Sequence, residues 1–259
     1  MVEGPTARAY TININNNFKD ESICDFFTRS KKIFINSNRL IGKHFSKSTS
    51  IGKNIILFFE DIAIRIHLMM FGSIKIYEKN STFSKPIERI RLLIIGNNKK
   101  LVVYNAPIIE INEKDVIINT LNNSLGPDPL SEQWNEEIAL NNLLKFSNEK
   151  IGVILLNQSI IAGIGNILRN EILFRAKINP ERKIFEISNN ELRNIIKICY
   201  ELSHKFLELK LKNNSIKEIL MVYNRFNQPC KICGSRIRFY IQQPIKRKTF
   251  ICEKCQGYS

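Results

Sequence analysis

The chain has 259 residues and carries 39 lysines and arginines against 24 aspartates and glutamates, a formal charge of +15 at pH 7. That length accommodates two domains and a small extra module. The charge argues for a polyanionic partner, while 9% aromatic residues argue against a disordered basic tail. No run of about 18 apolar residues, no signal-peptide core after Met1 and no lipidation motif is present, so a membrane partner is not expected.

The first half reads as β-structure. Ile55-Ile56-Leu57-Phe58-Phe59, a Glu60-Asp61 turn, and Ile62, Ile64, Ile66 and Leu68 alternating with Ala63, Arg65 and His67 predict a hairpin with one buried face. Ile74 to Tyr77, Arg89 to Ile95, Leu101 to Tyr104 and Val116 to Ile118 supply further short strands, a pattern that suggests a sandwich or barrel. Cys24 and Cys199 sit in apolar surroundings and read as reduced core thiols of an intracellular protein.

Near residues 120 to 130 the grammar changes. Pro127 and Pro129 break the chain, and helical periodicity follows over Leu130 to Phe146, Asn148 to Asn157 and Asn166 to Ala176, the last stopped by Pro180. Ser188-x-x-Glu191 is a capping box opening a fourth helix, whose Leu192, Ile195, Ile196, Cys199, Leu202 and Phe206 recur at core-facing spacing. Between the second and third helices, Gly163 and Gly165 deliver Asn166 to a helix N-terminus, where free N–H groups and a partial positive charge favour a phosphate. No βαβ context precedes these glycines, so a dinucleotide loop is excluded.

The chain closes with Cys230-x2-Cys233 and, eighteen residues on, Cys252-x2-Cys255. Zn²⁺ favours four soft ligands in a tetrahedron, and two such turns across a hairpin form a closed structural site. Residues 221–259 carry Arg225, Lys231, Arg236, Arg238, Lys246, Arg247, Lys248 and Lys254 against the single acid Glu253. That balance suits phosphate.

From Asn157 to Pro180 the segment closely resembles the helix-two-turn-helix motif of the formamidopyrimidine-DNA glycosylase and endonuclease VIII family, and the resemblance spans the chain. It implies a multidomain α and β protein: an N-terminal catalytic β-sandwich over residues 1–125, a helix-two-turn-helix domain over 126–220 and a C-terminal zinc-finger β-hairpin over 221–259. Asn166 matches the motif's phosphate-binding asparagine, and Glu171 matches a supporting glutamate. The opening Met1-Val2-Glu3-Gly4-Pro5 resembles the family's Pro-Glu-Gly-Pro, in which the amine exposed by methionine removal attacks the sugar. Val2 is then the nucleophile in place of proline, and Glu3 the acid/base group. Lys53, in Gly52-Lys53 before a strand, resembles the family's proton donor in β-elimination. His67 matches a phosphate-contacting histidine, and Met69, Met70 and Phe71 occupy the position that fills the gap left by a flipped nucleotide. Arg247, five residues before Cys252, matches the zinc-finger arginine that grips the lesion phosphate and assists δ-elimination.

The resemblance thus implies a bifunctional DNA glycosylase and abasic-site lyase with one structural Zn²⁺ per chain, acting on damaged duplex or single-stranded DNA as an intracellular, DNA-associated monomer. The alternative is a non-catalytic zinc protein that binds damaged DNA or structured nucleic acid. Three departures favour the endonuclease VIII side of the family, whose substrates are oxidised pyrimidines or hydantoins. Val2 replaces proline; Tyr104-Asn105-Ala106-Pro107-Ile108-Ile109 stands where the 8-oxoguanine branch has an Asp-Pro-Arg-Arg-Phe-Gly loop; and Leu211 to Pro229 is too short for that branch's lesion-capping loop.

Overall fold

The computed structural model describes residues 2–257 and divides the chain into two compact units. The first is residues 1–2 with 6–123, and the second is residues 3–5 with 124–259. In chain order the elements of the first half are α1 (Gly4–Asn17), β1 (Asp25–Thr28), β2 (Lys32–Ile33), β3 (Lys47–Ile51), β4 (Asn54–Phe59), β5 (Ile62–His67), β6 (Ser73–Glu78), β7 (Ile90–Ile95), β8 (Lys99–Tyr104), β9 (Ile108–Glu113) and α2 (Lys114–Ser124). The second half holds α3 (Glu136–Leu144), α4 (Ile151–Ile154), α5 (Asn166–Arg175), α6 (Asn189–Leu211), β10 (Arg238–Gln242), β11 (Arg247–Ile251) and α7 (Glu253–Gln256).

The first unit is a β-sandwich. One sheet has the order β1-β7-β8-β6 and the other β2-β9-β5-β4-β3. Leu92, Ile94, Leu101 and Val103 from the first and Ile55, Leu57, Ile62, Ile64 and Ile66 from the second share one buried cluster, which is what two sheets packed face to face require. Strand β7 alternates buried and half-buried along its length, as a strand with one face in the core should.

Two elements of this unit escape a reading by apolar runs. Helix α1 has a polar, asparagine-rich sequence, but Ala7, Thr11, Ile14 and Phe18 recur at helical spacing and are all buried. The expected strand Val116 to Ile118 is instead part of α2. Three adjacent β-branched residues suggested extended chain, yet the buried pair is Ile117 and Leu121, four apart on one helical face. Cys24 is exposed rather than a core thiol, with its Sγ 3.2 Å from Asn97 Oδ1, whereas Cys199 is buried as expected.

The second unit has a helical core built on α6. Ser188 and Glu191 exchange side-chain-to-backbone bonds at its start, closing the capping box. Leu192, Ile195, Ile196, Cys199, Leu202 and Phe206 all lie in the core. The first two predicted helices contract to Glu136–Leu144 and Ile151–Ile154, the flanking residues forming turns. The β10–β11 hairpin and the four cysteines gather a separate small core of Phe174, Val222, Ile237 and Phe250. No helix among the described residues is long and apolar enough to cross a membrane.

Candidate nucleic-acid interface and metal centre

In the first unit, the site residues come from strand ends and turns. A two-residue turn, Gly52-Lys53, joins β3 to β4, and Gly52 takes φ 59°, the left-handed conformation that glycine adopts without cost. This turn holds Lys53 beside the end of β5, where Asn54 pairs with His67. Burial pushes the His67 imidazole below its ordinary value, and the charges of Lys53 and Arg65 push it further in the same direction. His67 Nδ1 in turn accepts the N–H of Met69 at 3.3 Å, which identifies it as the unprotonated nitrogen of a neutral ring.

Met69 begins the turn after β5 with φ 50°. Its carbonyl accepts the N–H of Val2 at 3.0 Å, so the second residue of the chain is tied to the same turn that His67 supports. Met1, whose removal would expose the Val2 amine, lies outside the described residues. Val2 itself is 8% exposed, whereas Met69 and Met70 are each 48% and Phe71 76% exposed. Three adjacent large apolar side chains in solvent contrast with the buried Leu68 beside them.

In the second unit, the site is built around the N-terminus of α5. Glu3 is fully buried, and its two carboxylate oxygens accept the N–H groups of Ile167 at 2.6 Å and Leu168 at 3.1 Å. A side chain thus satisfies two of the helix's free donors. Gly165 makes this possible, because a Cβ there would lie 2.4 Å from the Glu3 carboxyl carbon. Asn166, the first residue of α5, donates from Nδ2 to the Lys248 carbonyl at 2.9 Å, while its buried Oδ1 has no hydrogen-bond partner.

Behind Asn166 lies a polar network that sequence reasoning missed. Arg169 is fully buried and donates to the Gly152 carbonyl, Gln242 Oε1, the Lys248 carbonyl and Thr249 Oγ1. Burial pulls its guanidinium down to about 10. Asn170 accepts the Phe250 N–H at 2.6 Å. Both side chains fasten α5 to the β10–β11 hairpin, whose second strand starts at the exposed Arg247. The available signal was the polar triplet Arg169-Asn170-Glu171 set between the apolar pairs Ile167-Leu168 and Ile172-Leu173, where buried polar groups need partners; of the guanidinium nitrogens only Nε lacks one.

Glu171 is 1% exposed and accepts the consecutive N–H groups of Met221, Val222 and Tyr223 at 2.8 to 3.0 Å, with Arg175 as its ion-pair partner. This anchors the chain entering the cysteine-bearing module. Tyr223, also unflagged by sequence, packs edge-on against Phe250 with centroids 5.3 Å apart, and its phenol is pushed up by burial and by the Glu3 charge.

Cys230, Cys233, Cys252 and Cys255 bring their four sulfurs within 4.8 Å of one another. Cys230 and Cys255 are 3.9 Å apart and Cys233 and Cys252 3.4 Å apart. A tetrahedron with metal–sulfur bonds of about 2.3 Å has edges of about 3.8 Å, so the donors fit a four-thiolate metal site with small movements. The Ile232 N–H points at Cys230 Sγ at 3.4 Å, the kind of bond that stabilises a thiolate.

The structure therefore places Val2, Lys53, His67, Met69, Met70 and Phe71 in the first unit, and Glu3, Asn166, Arg247 and the cysteine quartet in the second. The chain is similar to known proteins over most of its length. Residues 125–218 match the family model for the formamidopyrimidine-DNA glycosylase H2TH domain. The formamidopyrimidine-DNA glycosylase of Cytobacillus firmus is 31% identical over 220 residues, covering 79% of this chain and 78% of that protein. Endonuclease 8 1 of Mycobacterium tuberculosis is 26% identical over 208 residues, covering 74% of this chain and 76% of that one. A crystal structure of the Lactococcus lactis Fpg in complex with DNA containing an abasic site has the same fold. It superimposes with a TM-score of 0.87 at 21% identity, over 98% of this chain and 99% of that one.

Proposed function

Because the chain belongs to the formamidopyrimidine-DNA glycosylase and endonuclease VIII family, we propose that it is a base-excision DNA glycosylase with abasic-site lyase activity, removing oxidised pyrimidines or hydantoins. The observation that carries the reading is the anchoring of its first residues. Val2 is tied to the Met69 carbonyl, and Glu3 is fixed by two N–H groups at the head of α5.

In this mechanism Met1 is removed, and the neutral amine of Val2 attacks C1′ of the damaged nucleotide. Glu3 takes a proton from the attacking amine and passes it to the deoxyribose ring oxygen as the ring opens, the base departs with the second amine proton, and an imine links Val2 to the sugar. Loss of a C2′ proton then expels the 3′ phosphate, and Lys53 and Arg247 serve as proton donors in the eliminations. An imine on valine can lose its proton, whereas a proline iminium keeps its charge, so β-elimination should outpace δ-elimination here. Neutral His67, the Asn166 amide and the exposed Arg247 clasp phosphates. Met69, Met70 and Phe71 fill the gap left by the flipped nucleotide.

The short connection between β8 and β9, Asn105 to Pro107, supports the pyrimidine preference, since it has no room for an arginine-bearing loop facing the orphan base. The quartet takes Zn²⁺ as a structural ion, chosen by its four thiolates, and holds the turns that carry Arg247. The division of labour follows residues 1–125 for the amine, 126–220 for the helix pair and 221–259 for the phosphate grip, in an intracellular, DNA-associated monomer.

Borohydride reduction tests the reading. It should trap a covalent adduct between the processed protein and an oligonucleotide with an abasic site or oxidised pyrimidine, and acetylating the N-terminus should abolish the adduct. Tight binding to damaged DNA without any adduct would instead select the non-catalytic binding protein, the reading that Val2 in place of proline favours.

A further inference from the structure

The β10–β11 hairpin has two different faces. One carries Tyr240, Gln242 and Thr249, which are held by Glu181 and Arg169 within the second unit. The other carries Phe239 and Ile241 on β10, paired in register with Phe250 and Lys248 on β11. Phe250 is buried, but Phe239 is 38% and Ile241 46% exposed, and Phe226 from the preceding loop is 56% exposed.

These exposed groups are ordered among themselves. Phe226 stands edge-to-face on Phe239, with centroids 4.9 Å apart and planes at 89°. Phe239 leans on Phe250 at 5.8 Å, and Lys248 Nζ lies 5.5 Å from the Phe239 ring centre. The module buries apolar groups where its fold needs them, at Val222, Ile237 and Phe250. Phe226, Phe239 and Ile241 are therefore left over by folding, in a module whose charged residues are eight cations and one carboxylate, Glu253.

Resting on the DNA-glycosylase reading, we infer that Phe226, Phe239, Ile241 and Lys248 form a stacking platform for an unpaired base of single-stranded DNA, separate from the lesion-binding groups. A protein partner would meet a module with eight cations and one carboxylate, whereas a nucleic-acid strand supplies the compensating phosphates and offers a flat π-face to each ring. Paired bases present no free face at their edges, so the platform distinguishes unpaired from duplex DNA. It gives the protein a hold on lesions within bubbles, forks or single strands.

The test is fluorescence anisotropy at fixed salt with a single-stranded oligothymidylate carrying one abasic site, and with the same strand in a duplex. Phe226→Ala and Phe239→Ala should each weaken single-strand binding by about tenfold and leave duplex binding within about twofold. Phe239→Trp should keep single-strand affinity. Because stacking releases no counterions, the slope of log affinity against log salt should stay that of the wild type. Equal losses on both substrates, no loss on the single strand, or tighter binding to an RNA strand of the same sequence would overturn the inference. Borohydride trapping on the duplex abasic substrate separates the two levels. If the wild type gives no adduct, the glycosylase reading fails; if it gives one and the alanine variants bind single strands normally, only the platform fails.

Discussion

Apart from the buried Val2 and the exposed Arg247, the two units hold their candidate functional groups in opposite ways. In the β-sandwich unit, Lys53, His67 and Met69 to Phe71 stand at strand ends and turns and are partly or largely open to solvent. In the helical unit, Glu3, Asn166, Arg169 and Glu171 are buried, and each is fixed by hydrogen bonds to backbone or side chains. The lesson concerns the cost of replacement. An exposed group can be removed with loss of chemistry alone, whereas a buried polar group takes its partners' satisfaction with it.

The comparison breaks most completely if the metal site is dispensable. Cys252→Ser, or chelation of the metal, should abolish binding and strand nicking, because the small core around Phe250 and Ile237 cannot fold alone. Limited proteolysis should release fragments from residues 221–257 while the β-sandwich resists digestion. Next in size, Glu171→Ala leaves three consecutive N–H groups without an acceptor and should cost about 3 kcal/mol or more in urea unfolding. Its counterpart in the sandwich, Glu110→Ala, removes one partly buried ion pair with Arg65, whose guanidinium keeps its bond to Asn54, and should cost less than Glu171→Ala. Similar costs for the two would erase the distinction between the units.

Lys53→Leu should lower the rate of strand cleavage by about 10²-fold or more while affinity and melting temperature stay close to wild type, measured by single-turnover nicking and calorimetry. The smallest effect concerns pH. Because the His67 value is lowered on folding, the unfolded chain binds its proton more readily. The stability this group contributes is therefore present above about pH 6.5 and lost as pH falls below it. His67→Gln should flatten that part of the stability curve. A phosphate contact reverses the preference, so in the wild type DNA affinity should rise as pH falls through the same range, and in His67→Gln it should not.

Much of this arrangement was legible in the amino-acid sequence because it is local. The hairpin of β4 and β5, the capping box at Ser188, the glycines before Asn166 and the cysteine spacing are each set by residues a few positions apart. Helix α1 was hidden because half of its buried face is Ala7 and Thr11 rather than large apolar residues, and α2 because Val116-Ile117-Ile118 has strand-like composition. Arg169 and Tyr223 were illegible for a different reason. Their partners lie up to 80 residues away in the chain, and no local pattern announces a guanidinium shared between Gly152 and Thr249.

The clasp of Glu171 on residues 221–223 also acts as a ruler. It measures the start of the metal module from α5 rather than from the end of α6, so the stretch between Lys212 and Leu220 can gain or lose residues without shifting the hairpin. Lengthening such a connection adds only a slowly growing closure entropy. A connection of different length at this point would therefore leave the Arg247-bearing hairpin where α5 holds it.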